Sequence, residues 1–354
     1  MTVLGIIWFI LIFVLIAGYF VLDGFDLGAG VLSPFVAKTD EEKALLRRSV
    51  GPVWDGNEVW LLTAGGALFA AFAPAYATTF SGFYLAIILV LMGLIVRAIS
   101  LEYSANETKP GWKKAWNALF FVGSLLPALL FGVAIGNVYA GIPMNANGDY
   151  VGIPLLGLVT PFTLLCGLLG LSMFILQGAS WLALKAPEGS ALAVRARMTR
   201  RTFAIMAIAF FALVTVYALV IIKPEMVGGL SILRIAFAVL FVAMLAVAFM
   251  KATDEKASLV VFLASSVACF ALVALLGASL FPNLVVAGAG DPFNLFATAA
   301  SGANITIETA ASEDLTLAWM LGITCVGLPF VLLYHFLVYR TFAGKLTKED
   351  ASEY

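Results

Sequence analysis

The sequence predicts an all-α polytopic membrane protein of nine transmembrane helices, and three observations lead to that fold class. Hydrophobic residues make up 62% of the 354 and charged residues only 12%, where a soluble domain has roughly 45 to 50% and about 25%. Apolar runs follow one another with short polar breaks, each near the ~20 residues that a hydrocarbon layer of ~30 Å requires. Lysine and arginine fall almost entirely in alternate breaks.

The first run, Gly5 to about Val36, has no basic segment before it and exceeds the ~7 to 15 apolar residues of a signal peptide, so it reads as a retained helix. The remaining runs place spans near 50 to 73, 77 to 103, 115 to 141, 155 to 184, 202 to 222, 230 to 250, 258 to 281 and 315 to 341, after the first at 5 to 36. The second is the least apolar, because Trp54, Asp55, Asn57 and Glu58 open it and Gly65 and Gly66 loosen its middle.

Basic residues in short loops favour the cytoplasm. With nine spans, 17 of the 20 lysines and arginines share one side, from Lys38, Lys43, Arg47 and Arg48 to Arg340, Lys345 and Lys348, while the other side holds only Lys223 and Arg234 and a span holds Arg97. Removing the second span would invert every later loop. The N-terminus is therefore expected outside and the C-terminus in the cytoplasm. The longest loop, Pro282 to Asp314, carries no basic residue and is expected to cover the outer face of the bundle or a partner. With no fixed-period repeat, residues 1 to 354 read as a single transmembrane domain. Cys166, Cys269 and Cys325 all fall in apolar runs, which suggests neither a disulfide framework nor a zinc site.

Ionisable residues inside a span cost at least ~2.5 to 3.5 kcal/mol each and so face a cavity or each other. Asp23 and Asp26 lie three residues apart on one face of the first helix, Asp55 and Glu58 repeat that spacing in the second, and Arg97 lies in the third with Glu102 near its end. At ~1.5 Å per residue, Asp26 is ~15 Å from the inner end of its helix, Asp55 and Glu58 ~8 to 12 Å, and Arg97 ~9 Å. Four carboxylates and one guanidinium at matching depth are expected to form one polar cluster. A bland reading is a buried ion pair that holds helices together. Four acids against one base exceed what pairing needs, which points to proton handling or polar ligand binding.

Gly24, Gly28, Gly30, Gly65 and Gly66 read as packing devices that let helices approach closely. His335 is the only histidine and the ten methionines are scattered, so neither haem nor another metal is expected to be ligated by this chain. Redox centres, if the chain serves any, belong to a partner.

These residues resemble a family, subunit II of the cytochrome bd-type quinol oxidases, which includes the cyanide-insensitive oxidases. The resemblance rests on Asp23-Gly24-Phe25-Asp26-Leu27-Gly28, on Trp54-Asp55-Gly56-Asn57-Glu58-Val59-Trp60-Leu61 with Ala64 to Phe72, on Ser81-Gly82-Phe83-Tyr84 and on Arg97. Fainter echoes follow at Gly132 to Asn137, Gln177-Gly178-Ala179 and Thr347 to Asp350.

The resemblance implies two four-helix bundles plus one peripheral helix, in the inner membrane of a bacterium or archaeon. It implies a heterodimer with subunit I, which holds haems b and d and oxidises quinol while oxygen is reduced to water, and small single-helix accessory subunits in some members. Asp55 matches the family's carboxylate at a proton pathway entering from subunit II. Trp54, Asp26 and Arg97 match positions near a structural quinone. Asp23 and Glu58 join the proton pathway only as neighbours on the same helical faces. No catalytic residue is expected in this chain. Two other functions compete: a proton-coupled secondary transporter, for which an inverted or parallel repeat is missing, and a purely structural subunit.

Overall fold

The computed structural model describes residues 1–104, 109–222, 231–288, 290–347 and 349–350. Lys223 and Lys348, and the start of the span expected near 230, lie outside the described residues.

Continuous apolar sequence gives helix α1 at Val3–Val36, started by a Thr2 hydroxyl that accepts the Gly5 N–H. Its 34 residues extend ~50 Å, more than the hydrocarbon layer needs. A short helix not anticipated from hydropathy follows, α2 at Asp40–Val50. Thr39 and Glu42 make a capping box, acids fill its first turn and Arg47 and Arg48 its last, each favourable toward the helix dipole. Leu45, Leu46 and Val50 turn inward to the core.

The second and third expected spans are divided differently. α3 runs Trp54–Ala71, α4 runs Ala73–Gly82 and α5 runs Tyr84–Tyr103. The break at Phe72 has a local cause: Pro74 lacks the N–H that would continue the α3 ladder and is accommodated in the first turn of a new helix. Two carbonyls freed at the end of α3 are met by Ser312, whose hydroxyl donates to Ala70 and whose N–H donates to Ala71. By length and composition, eight described helices are able to cross a membrane, and α3 is not among them because its polar first turns lower its hydropathy.

The others are α6 at Pro110–Ala140, α7 at Pro161–Lys185, α8 at Ala191–Tyr217 with a π turn over Ala218–Ile222, α9 at Ser231–Met250 and α10 at Ser258–Leu280. After a four-residue helix, α11 at Ile307–Ala310, the chain ends in α12 at Asp314–Thr341. α1 is central and packs on α3, α6, α7 and α10. Its crossing with α7 is backbone on backbone: a Cβ at Gly28 would lie 1.8 Å from the Phe174 carbonyl oxygen, and one at Gly178 would lie 2.4 Å from Ala29 N. Only glycine permits that approach. α12 is peripheral, with Leu317 its one buried residue.

One end of the bundle gathers the basic loops. Arg195 of α8 pairs with Glu42, Arg200 is buried and donates to the Ala252 and Asp254 carbonyls, and Lys185 donates to the Phe342 carbonyl. The opposite end is closed by the long loop, which contains the strands β1 at Asn283–Val285 and β2 at Ile305–Thr306. Leu284, Val285 and Ile307 sink into an apolar cluster with Trp8, Phe9, Phe72 and Ile142. Asp291, buried in this loop, accepts from Phe162 N–H, Phe293 N–H and the Tyr217 hydroxyl and so ties the loop to α7 and α8.

Candidate functional site

The i, i+3 spacing of α1 directs Asp23 and Asp26 to one side, both essentially without solvent exposure. α5 brings Arg97 to the same level, fully buried. One guanidinium nitrogen, Nη2, donates to Asp23 Oδ1 at 2.7 Å and also to Glu58 Oε1 from α3. Asp26 is held separately: Asn57 Nδ2 donates to its Oδ2 at 2.7 Å and to the Leu22 carbonyl at 3.2 Å. The Tyr339 hydroxyl of α12 donates to Asn57 Oδ1 at 2.9 Å. The result is a string across three helices, Tyr339 of α12 to Asn57 of α3 to Asp26 of α1, beside a triad of Asp23, Arg97 and Glu58 that adds α5.

Charge does not balance. Three carboxyl groups face one guanidinium, and a buried ionised acid needs a partner or a proton. Several polar atoms of the cluster have no hydrogen-bond partner among the described residues: Tyr19 Oη, Asp23 Oδ2, Asp26 Oδ1, Arg97 Nε and Nη1, and both amide atoms of Gln177. Gln177 reaches the cluster from α7 because residue 24 is glycine; a Cβ there would meet Gln177 Oε1 at 2.7 Å. Such atoms in a folded protein point to water or a mobile proton.

Of the residues expected together, Asp23, Asp26, Glu58 and Arg97 assemble. Asp55 does not join their hydrogen bonds; it is exposed one turn before Glu58, whose side chain is itself 26% exposed. Trp54 is half-buried and packs on a different apolar cluster with Phe25 and Leu101, and Glu102 is exposed at the end of α5. Asn57, Tyr339, Gln177 and Tyr19 were not anticipated as site residues. Asn57 and Gln177 lie inside runs that carried the resemblance, so a signal existed for them; nothing in the sequence ties Tyr339 to a residue 282 positions away.

His335 is one turn from Tyr339 on α12. It accepts from Trp60 Nε1 at 3.2 Å through Nε2, and its Nδ1 lies 2.9 Å from the Val331 carbonyl. A neutral imidazole protonated on Nδ1 satisfies both bonds. Among the described residues no group of three or more His, Cys, Asp and Glu is arranged to hold a metal.

Two cavities lie within the described residues, and the smaller is lined by Tyr339 of the string. One of about 160 Å³ lies at the basic end and is lined by Arg48, Ser49, Trp181, Lys185, Tyr339 and Asp350 among others. A second of about 470 Å³ lies among α6 to α10, with a largely apolar lining that includes Phe20, Phe174, Tyr139 and Arg234. Neither is lined by Trp54, Asp26 or Arg97.

The family model for cytochrome bd terminal oxidase subunit II matches residues 4–342. This chain belongs to that family. It is 34% identical over 380 residues to cytochrome bd-I ubiquinol oxidase subunit 2 of Escherichia coli K12, covering 98% of this chain and 96% of the relative. It is 31% identical over 358 residues to cytochrome bd ubiquinol oxidase subunit 2 of Bacillus subtilis, covering 98% of each. Its fold is similar to a chain in the structure of the bd oxidase from Geobacillus thermodenitrificans, with a TM-score of 0.70 at 17% identity over 96% of this chain and 99% of that one. Membership makes the chain a multi-pass subunit of a bacterial membrane oxidoreductase complex in which a subunit I is the partner.

Proposed function

We propose that this chain is the subunit of a terminal oxidase that supports quinol oxidation and oxygen reduction to water in its partner, and that its own chemical contribution is proton delivery. The family match across nearly the whole chain carries the first part. The second rests on the surplus of buried acid over base at Asp23, Asp26, Glu58 and Arg97.

Oxygen reduction consumes protons. Asp55, exposed at the first turn of α3, is suited to collect them, and Glu58 one turn on leads from it to Asp23 and Arg97. The concentration of basic loops beside Asp55 supports a cytoplasmic assignment for that end, with nine spans if α3 and α4 together count as one, and with a peripheral α12 beside two four-helix groups. The haems b and d belong to subunit I on this reading, in an inner membrane, with room for small accessory subunits.

The residues fit a structural quinone less well. A quinone carbonyl would need a donor such as Arg97 Nε or Nη1, which is open, but Trp54 faces another cluster and neither described cavity reaches Asp26 or Arg97. A scaffold role alone is favoured by one observation, the double ion pair of Arg97, which ties α1, α3 and α5 whether or not protons move.

The oxidase reading is tested by purifying the chain in mild detergent from its native membrane and recording a reduced-minus-oxidised visible spectrum. Haem bands accompanied by one further large membrane subunit are expected. A colourless single chain overturns the proposal.

A further inference from the structure

We infer that Asn57, latched by Tyr339, is a proton-tight seal between the basic-end cavity and the buried acids, so that the cluster fills by way of Asp55 and Glu58 and not by way of Tyr339. This rests on the proton-delivery reading above and specifies where protons are excluded.

The cavity of about 160 Å³ has Arg48, Lys185, Lys345 and Asp350 in its wall and Tyr339 at its inner limit. From that wall to Asp26 there are only two hydrogen bonds, Tyr339 Oη to Asn57 Oδ1 at 2.9 Å and Asn57 Nδ2 to Asp26 Oδ2 at 2.7 Å. Geometry alone would suggest a conducting wire. The chemistry of the middle group argues the reverse. An amide passes a proton along such a string only by accepting one on oxygen and losing one from nitrogen, leaving an imidic acid, and a primary amide holds neither state at neutral pH.

Nor can the amide turn over to reset itself. Both of its N–H groups are committed to acceptors, Asp26 Oδ2 and the Leu22 carbonyl, and its oxygen takes the Tyr339 hydroxyl. Rotation by 180° would set oxygen against two oxygens and leave the Tyr339 hydroxyl facing a donor. Asn57 has no solvent exposure, and its side chain fills the space between Tyr339 and Asp26 with hydrogen bonds on both sides. A carboxylate or a hydroxyl at this position would connect the cavity to Asp26; the amide separates them while keeping Asp26 hydrogen-bonded. Asp55, at the first turn of α3, is exposed and Glu58 is partly exposed, which leaves the surface of α3 as the way in.

The test uses the intact oxidase and four variants. Asp55→Asn should slow oxygen reduction. In that background Asn57→Ser should raise turnover several-fold, because a hydroxyl with room for water joins Tyr339 to Asp26. Tyr339→Phe in the same background should not lower turnover, since no proton passes through Tyr339 while the Asn57 amide is in place. If Asp55→Asn is slow and Asn57→Ser leaves it equally slow, the seal is overturned while proton delivery through Asp55 stands. If Tyr339→Phe in the Asp55→Asn background lowers turnover several-fold, the string is a wire and the seal is again overturned. If Asn57→Ser does not assemble, Asn57→Asp replaces it with the same expected gain. If Asp55→Asn itself runs at the parent rate, the proton reading fails first, and the inference with it.

Discussion

Arg97 Nη2 donates to Asp23 Oδ1 at 2.7 Å while serving Glu58 with the same nitrogen, and both Arg97 and Asp23 are fully buried. One guanidinium thus joins α1, α3 and α5. Removing one partner of a buried pair typically costs ~3 to 5 kcal/mol because the other charge is left uncompensated. Arg97→Met is therefore expected to lower the yield and thermal stability of the assembled complex, and adding Asp23→Asn should recover part of the loss. A single variant as stable as the parent in a thermal unfolding assay would contradict the pairing.

Asp55→Asn is expected to slow oxygen consumption at saturating quinol several-fold with the haem spectrum unchanged. The side chain is exposed and makes no bond within the cluster, so its loss does not disturb packing, and a slower rate reports a proton step. Unchanged turnover would leave only the scaffold role.

Much of this site was legible in sequence and part was not, for reasons that differ by residue. Asp23 and Asp26 follow from helical spacing, and Arg97 from depth, because both are properties of a straight rod. The same spacing overreached for Asp55 and Glu58. At the first turn of α3 the two carboxylates diverge by about 60° around the axis, enough at a helix surface for one to face Arg97 and the other solvent. The break at Phe72 was missed because apolar sequence continues through it; Pro74 and the capping by Ser312 are what divide the run. Asn57 was visible only as part of a motif, and its role depends on Tyr339 and Leu22, which hydropathy cannot pair with it. The covering of one bundle end by the Pro282 to Asp314 loop agrees with expectation, since Leu284, Val285 and Ile307 supply the apolar contacts.

Two glycines with the same packing reading are expected to behave differently. A methyl at Gly28 would collide with the Phe174 carbonyl, whereas one at Gly66 meets nothing within 4 Å. Gly28→Ala must push α1 from α7 and should cost about 3 kcal/mol or more. Gly66→Ala should be neutral or stabilising by a few tenths, as alanine favours helix over glycine by ~0.8 to 1.0 kcal/mol in water. Thermal unfolding of the two purified variants separates them, and equal midpoints would refute the close crossing.

The link between α2 and α8 should weaken in acid, and its sign can be worked out from Glu42. Burial alone raises the Glu42 pKa, but the Lys38 N–H at 2.6 Å, the Arg195 guanidinium and the Thr39 N–H together outweigh it and hold the carboxyl below its ordinary value. A group whose folded pKa is depressed contributes stability above its unfolded pKa, about 4.3 for Glu. That contribution is lost as pH falls through the lower folded value. Glu42→Gln keeps a side chain able to reach the Thr39 N–H while removing the charge. It should therefore be less stable than the parent at pH 7, with a constant difference down to about pH 5 and a narrowing one below about pH 4. Hydrogen exchange across Asp40–Val50, measured from pH 7 to 3.5 and corrected for intrinsic rates, reads this directly. A parent and variant that differ by the same amount at both extremes would show that the Glu42 charge does not hold α2 in place.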